Sequence, residues 1–460
     1  MRRFSSSRGV AALEDEDSDV VAGSDAAVAI ASDNASKDEV ALGESQDEGG
    51  SIDADMTEGE ATVEAFVEMA KGLGIAAKNG GIDKHSAAVI AIATEHMCNR
   101  VGMQRKPMPS MESFGGASTR IGATQLAMEG IKQSAKDLWK YIVDAFKKLV
   151  NWVKGHWLKV FGSAETMKRR AEAIVKAADE VGSKKMKAKS FEDASLVKAL
   201  YKAGAVPSAS SLKTGLAEVT TVATAVLDTN ATKIIAKGDK LVSDLETPAD
   251  LSKYSVNTIG MFGIATNDPI GETGKKLVAG NGYAWKVSDP LLGGIVWAET
   301  VPSDTVAAGK DALAYMSKEK ASFQEDGTKT PSKETVATLT NIEVEDIAKL
   351  VIKIADILID FRKTEPKLKS LLDRATKAAE RMAKNADNDL GEPAAATAPV
   401  AEKTKHAEDS LEKEMGKAIR DAIGSLRTGQ FSSFVNATAY PLKTGQASLN
   451  YCQKSLNQYE

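Results

Sequence analysis

Apolar positions recur at helical spacing along most of the chain. In residues 61–104, Val63, Phe66, Val67 and Ala70 share one helical face, and Ala88, Ile92 and Met97 mark a second helix. Asn79-Gly80-Gly81 separates them, so the pattern predicts helices over 62–77 and 84–101 forming a small hairpin. The longest stripe lies in 124–162, where Ile131, Leu138, Ile142, Phe146, Leu149, Val153, Trp157 and Val160 repeat, and Trp139, Val143, Val150 and Phe161 widen it. Such a stripe is too wide for a lone surface helix. Its expected partner is the next stripe, Met167, Ala171, Ile174 and Ala178, turned back at Gly162-Ser163. Helix is expected to continue to residue 203, and a helical pair follows over 209–246 around Val219, Val222, Val226, Ile234 and Leu241.

The pattern changes at residues 250–303. Gly260, Gly263, Gly271, Gly274, Gly280, Gly282, Gly293 and Gly294 punctuate short apolar runs such as Ile295-Val296-Trp297, which predicts a small β insert. Helix returns over 304–322 and again over 332–386, with Ser332 as its expected cap. Leu350, Ile354, Ile357, Leu358 and Phe361 form the strong face of this second region, and Pro366 should break or kink it. Residues 391–403 read as an Ala/Pro linker, and 404–460 as C-terminal helices. Residues 1–60 mix Asp, Glu, Ala, Ser and Gly with a single aromatic, Phe4, and read as disordered because they bury too little apolar surface. Residues 105–123, with Pro107, Pro109, Gly115, Gly116 and Gly122, read as an exposed linker. The fold class is therefore mainly α: a multi-helix body with a Gly-rich β-containing insert and a disordered acidic N-terminus.

Composition sharpens this picture. Hydrophobic residues make up 43 % of the 460, enough for real cores, while aromatics are only 5 %, which disfavours a large sandwich or barrel. The net charge of −5 conceals an asymmetry. Residues 1–112 carry 10 Lys+Arg and 21 Asp+Glu, a net of −11, and residues 113–460 carry a net of +6. An acidic arm on a basic body is the pattern of a solubilising tail or of a removable segment. Lys132, Lys136, Lys140, Lys147, Lys148, Lys154 and Lys159 lie between the apolar positions of the long stripe, and Lys168, Arg169 and Arg170 follow it. Lysines on such a helix serve as a solvated face over a packed core, or as a surface that meets phosphates or a membrane.

Catalytic chemistry is not visible. The four histidines, His85, His96, His156 and His406, lack helical metal-pair spacing, and Cys98 and Cys452 match neither a zinc motif nor a disulfide framework. No phosphate loop occurs, and Asp387-Asn388-Asp389-Leu390-Gly391 lacks the glycine position and closing glutamate of a calcium loop. No cofactor, no metal and no enzymatic activity is expected. No apolar run reaches the roughly 18 residues of a membrane span, and the basic Met1-Arg2-Arg3 start is followed by no apolar signal core.

Two short segments carry a resemblance. Ser110-Met111-Glu112 is followed by Ser113-Phe114-Gly115, and Ala127-Met128-Glu129 by Gly130, at the head of the Trp/Lys-rich stripe. Over Ser110 to Ala178 the chain resembles the internal head proteins of giant tailed bacteriophages of the phiKZ type. In these, a Glu-Ser-Phe-Gly segment precedes a second small-x-Glu site, a Trp/Lys-rich helix and an Arg-rich helix. The resemblance implies cleavage by the phage prohead protease after Glu112, before Ser113, or after Glu129, before Gly130. It also implies packaging inside the capsid with other inner-head proteins, after assembly in the host cytoplasm. The resulting expectation is an acidic precursor matured to a basic body that lies non-specifically against packaged DNA. Its units would be 1–60 disordered, 61–112 the helical part of the propeptide, 113–129 a linker between cut sites, 130–249 the helical region, 250–303 the insert, 304–390 the long-helix region, 391–403 a linker and 404–460 the C-terminal helices. The alternative is an ejected protein that acts on the host envelope or host machinery through the basic amphipathic helix.

Overall fold

The computed structural model describes residues 24–182, 184–246, 264–269, 283–302, 320–389 and 432–459. The described elements are mostly α-helical. Helices α1 (Ser24–Lys78) and α2 (Lys84–Arg100) are separated by the expected break, with Gly80 and Gly81 both at positive φ. Asp83 caps α2 by accepting from the Ser86 backbone N–H at 2.8 Å. A one-turn 3₁₀ helix (Met111–Phe114) leads into α3 (Ala117–Val181), which has 65 residues and is about 100 Å long.

This corrects two expectations. The linker over 113–129 is not open chain: Phe114, Ala123, Thr124, Ala127 and Met128 are buried, and helix begins at Ala117. Nor does the chain turn back at Gly162-Ser163. A glycine inside a helix costs about 1 kcal/mol, less than the gain from continuing a stripe whose Val160, Phe161, Ala164 and Met167 are buried on both sides of it. The stripe is instead covered by other elements. Up to Ile142 it packs against α1 and α2; from Val143 onwards it forms the spine of the larger core.

The hairpin expected from 61–104 is mainly an α1–α3 pair. The two helices run antiparallel, because Gly49 faces Trp152, Gly59 faces Tyr141 and Ile142, and Gly74 faces Met128. The seam follows the 3–4 spacing of a coiled coil. On α1 it runs Ser45, Gly49, Ile52, Met56, Gly59, Val63, Phe66, Ala70, Leu73 and Ala77; on α3 it runs Thr124, Met128, Ile131, Ala135, Leu138, Ile142, Ala145, Leu149, Trp152 and His156, all buried or half-buried. Disorder through residue 60 is therefore corrected for 44–60, which is helix, with Ser45, Gly49, Met56 and Gly59 buried. Small residues there admit the α3 side chains closely, so the segment needs little apolar area of its own. Of the remainder of that expectation, residues 1–23 lie outside the described residues.

After α3, helix does not continue to 203. A short strand β1 (Ser190–Glu192) and helix α4 (Ala194–Leu200) intervene before α5 (Ala209–Thr224), a π turn (Ala225–Thr229) and α6 (Ala231–Glu246). The β insert is present as β2 (Tyr283–Val287) and β3 (Ile295–Pro302), but its third strand, β4 (Ala321–Glu325), lies beyond residue 303. The strands pair antiparallel in the order β2-β3-β4. Of the helix expected over 304–322, residues 304–319 lie outside the described residues and the end is strand. Strand β5 (Thr335–Ala337) pairs with β1, so the following helix α7 (Asn341–Phe361) starts later than Ser332. Its cap is Thr340, in a reciprocal capping box with Glu343. The break before Pro366 is found: α7 ends at Phe361, a 3₁₀ turn follows, and α8 (Glu365–Asp389) begins. The 391–403 linker and the helix over 404–427 lie outside the described residues.

The last helix, α9 (Ser432–Leu456), is the centre of the body. It is buried along most of its circumference, with Phe434, Ala437, Thr438, Leu449, Tyr451 and Cys452 all fully covered. Gly445 admits the Met167 thioether of α3, and Tyr451 donates to the Ala337 carbonyl at 2.6 Å. The C-terminal segment thus ties α3, α7 and the strands together.

Candidate functional site

The candidate site is the length of α3 together with the turn before it. Glu112 is exposed and Ser113 half-buried within the 3₁₀ turn, which is closed by Ser113 N–H donating to the Ser110 carbonyl at 3.0 Å and Gly115 N–H donating to the Glu112 carbonyl at 3.0 Å. Phe114 anchors the turn: its side chain is fully buried, and its carbonyl accepts from Arg120 Nε at 3.3 Å. Glu129 and Gly130 sit differently. They lie in the interior of α3, with Glu129 exposed and paired to Lys132 at 3.1 Å. The Gly130 carbonyl accepts from Ser134 Oγ at 3.0 Å, and the Pro107 carbonyl lies 3.4 Å from where a Gly130 Cβ would stand. A protease reads an extended chain, so the first site needs only a turn to open, whereas the second needs local helix unfolding.

The cationic residues divide into four groups. Lys132, Lys147, Lys154 and Lys168 are held by carboxylates. Lys147 reaches Glu380 at 2.8 Å, Lys154 reaches Asp373 at 2.8 Å, and Lys168 reaches Asp356 at 2.8 Å. These pairs tie α3 to α7 and α8, and the bonds to Glu380 and Asp356 raise the ammonium pKa values of Lys147 and Lys168. Lys140, Lys148, Lys159 and Arg169 are exposed, within an arc of about 100° on the helix surface. Lys136 is half-buried. Arg170 departs from expectation: it is 1 % exposed, and its Nη2 donates to Asn450 Oδ1 of α9 at 2.7 Å. Its position three residues after Met167 places it on the buried face, which a reading of Lys168-Arg169-Arg170 as one basic run overlooks.

A feature that sequence reasoning missed is the polar junction near the N-terminal end of the seam. Trp152 Nε1 donates to the Ser45 carbonyl at 2.6 Å, and His156 Nδ1 lies 3.2 Å from Ser45 Oγ. Burial pushes the His156 pKa down to about 4, with Lys159 adding to the effect. The Trp152 and His156 rings stack, their centroids 5.2 Å apart. The available signal was the 3–4 spacing of Ser45, Gly49, Ile52 and Met56, which small residues hide from a hydrophobicity count.

Among the described residues no group of His, Cys, Asp and Glu side chains could hold a metal ion, and no helix is long and apolar enough to cross a membrane. The site combines a covered apolar seam, a row of exposed cations and an exposed turn. No curated protein and no solved structure matches the chain. The model of the phiKZ-like phage internal head proteins matches residues 26–454, from the first turn of α1 almost to the end of α9, and the chain belongs to that family, whose members lie inside the virion head.

Proposed function

We propose that this internal head protein is made as an acidic precursor, enters the prohead from the host cytoplasm with other inner-head proteins, and is cut by the phage prohead protease after Glu112 or Glu129. Its basic body then lies against packaged DNA without sequence preference. The role is structural, with no catalytic step. One observation carries this reading: acidic α1 lies along the basic first half of α3, and the exposed Glu112 turn is the connection between these two layers. A cut there divides the chain where its charge changes sign, and once the acidic side has left, at the latest after the Glu129 cut, phosphate binding strengthens as the surface loses competing carboxylates.

The test compares full-length precursor with protein recovered from particles, by binding to a fluorescent duplex DNA at several salt concentrations. The reading expects the recovered form to bind more tightly at low salt, with affinity falling as salt rises. Equal binding of the two forms at low salt would contradict it. An action on the host envelope draws no support from the intact chain, since Trp157 is fully buried and Trp152 is bonded to α1. Leakage of anionic vesicles by the recovered form would favour that alternative.

A further inference from the structure

A cut after Glu112 breaks the chain but neither helix that meets across it. Helix α1 remains whole from Ser24 to Lys78, and α3 from Ala117 to Val181. We propose that this cut nicks the molecule without parting it: the segment through Glu112 stays docked on α3 as a separate chain, because the apolar 3–4 face of α3 is a docking surface for the small and apolar 3–4 face of α1. The proposal rests on the processing reading above.

Three independent features hold the segment. The first is the apolar seam, where Phe66 and Leu73 of α1 and Ile131 and Leu138 of α3 share one core and are each at most 2 % exposed. Burial of this kind does not depend on chain connection. The second is a set of polar ties that do not involve the cut bond. Trp152 holds the Ser45 carbonyl at one end, Thr124 Oγ1 accepts from Ile82 N–H at 3.0 Å at the other, and Lys106 meets Asp137 at 2.6 Å.

Charge is the third. Residues 44–78 of α1 carry nine Asp+Glu and two Lys, whereas residues 117–150 of α3 carry six Lys+Arg and three Asp+Glu. Opposite charges on paired helices decide which partner is accepted. Gly49 and Gly59 leave the room that Trp152, Tyr141 and Ile142 of α3 fill, which a second copy of α3 would not leave, so the complementary occupant is the chain's own acidic segment.

The experiment uses the full-length chain with an exogenous endoprotease's recognition sequence inserted between Glu112 and Ser113. After complete cleavage, verified on a denaturing gel, the native product is run by size exclusion at low salt and at about 0.5 M salt, where charge screening extends only about 4 Å. The two fragments should elute together at the volume of the uncut protein in both conditions. Hydrogen exchange of the α3 amides between Met128 and Ile142 should change less than threefold on nicking. The nicked Phe66→Asp, Leu73→Asp variant should elute as two species. Separate elution of the parent fragments, or a tenfold or greater loss of protection in α3, would overturn the proposal. The engineered cut does not use the phage enzyme, so this result stands apart from whether Glu112 is cut in the particle.

Discussion

Gly49 of α1 and Trp152 of α3 are so close that a Cβ on the glycine would stand 2.2 Å from the indole Cζ2. Gly162, on the same long helix as Trp152, has open space around its corresponding position. The same substitution should therefore act with opposite sign at the two sites. Gly162→Ala should stabilise by up to about 1 kcal/mol, the ordinary helix preference of alanine over glycine. Gly49→Ala should destabilise by about 1–3 kcal/mol, since the indole must shift within a packed seam. Thermal denaturation of both variants reads the difference directly; a higher melting temperature for Gly49→Ala would mean the two helices do not approach closely there.

His156 gives the seam a pH dependence. Its folded pKa of about 4 lies below the unfolded value of 6.5. Above pH 6.5 the ring is neutral in both states and its native environment is undisturbed. As pH falls from 6.5 towards 4, the unfolded chain takes up a proton that the folded chain refuses, so stability declines, by about 3 kcal/mol in all. Denaturant titrations at pH 7 and pH 4.5 should show a smaller loss in His156→Gln than in the parent. Parallel losses in the two proteins would show that His156 titrates normally in the fold.

The exposed cations and buried Arg170 make separable predictions. Lys148→Ala, Lys159→Ala and Arg169→Ala together should leave the melting temperature almost unchanged, because these side chains are exposed. The triple variant should weaken DNA binding and flatten its salt dependence, by roughly 0.9 in the log–log slope for each phosphate that is no longer neutralised. Arg170→Ala should do the reverse, lowering stability with little effect on the salt slope, because its guanidinium is spent on Asn450 inside the body. An Arg170 variant that kept full stability and lost DNA binding would place that residue on the wrong face of α3.

The two candidate cut positions differ in what must open, which predicts an order. The Glu112 turn is exposed, whereas Glu129–Gly130 is helical and lies beneath the Pro107 carbonyl. Limited proteolysis of the precursor with the prohead protease should yield the Ser113 start before the Gly130 start. Cutting at the second site also removes Thr124 and Met128 from the seam, so release of a docked N-terminal segment should follow that cut. Early appearance of the Gly130 start in Glu112→Gln precursor, at the parent rate, would show that the turn does not control access.

Much of this architecture was legible in the sequence. Helix α2, the break at Gly80-Gly81, the apolar stripe of α3 and the strand Ile295-Val296-Trp297 follow from periodicity and turn chemistry. The partner of that stripe did not, because it lies roughly 50 to 110 residues earlier in the chain and pairs antiparallel. Part of its seam is Ser45, Gly49 and Gly59, residues that contribute by close approach rather than by area and so read as low-complexity chain. The glycine at 162 looks like a turn when local propensity is weighed without the burial on both sides of it. The lysine row was visible as such, but which cations are spent on Glu380, Asp373, Asp356 and Asn450 depends on helices distant in sequence.

The most direct test of the account is the N-terminal residue of the chain recovered from purified particles, read by peptide mapping and by intact mass. The account predicts a chain that begins at Ser113 or Gly130, and an uncut chain when both Glu112→Gln and Glu129→Gln are introduced. Abundant peptides running unbroken across both Glu112–Ser113 and Glu129–Gly130 in wild-type particles would contradict it.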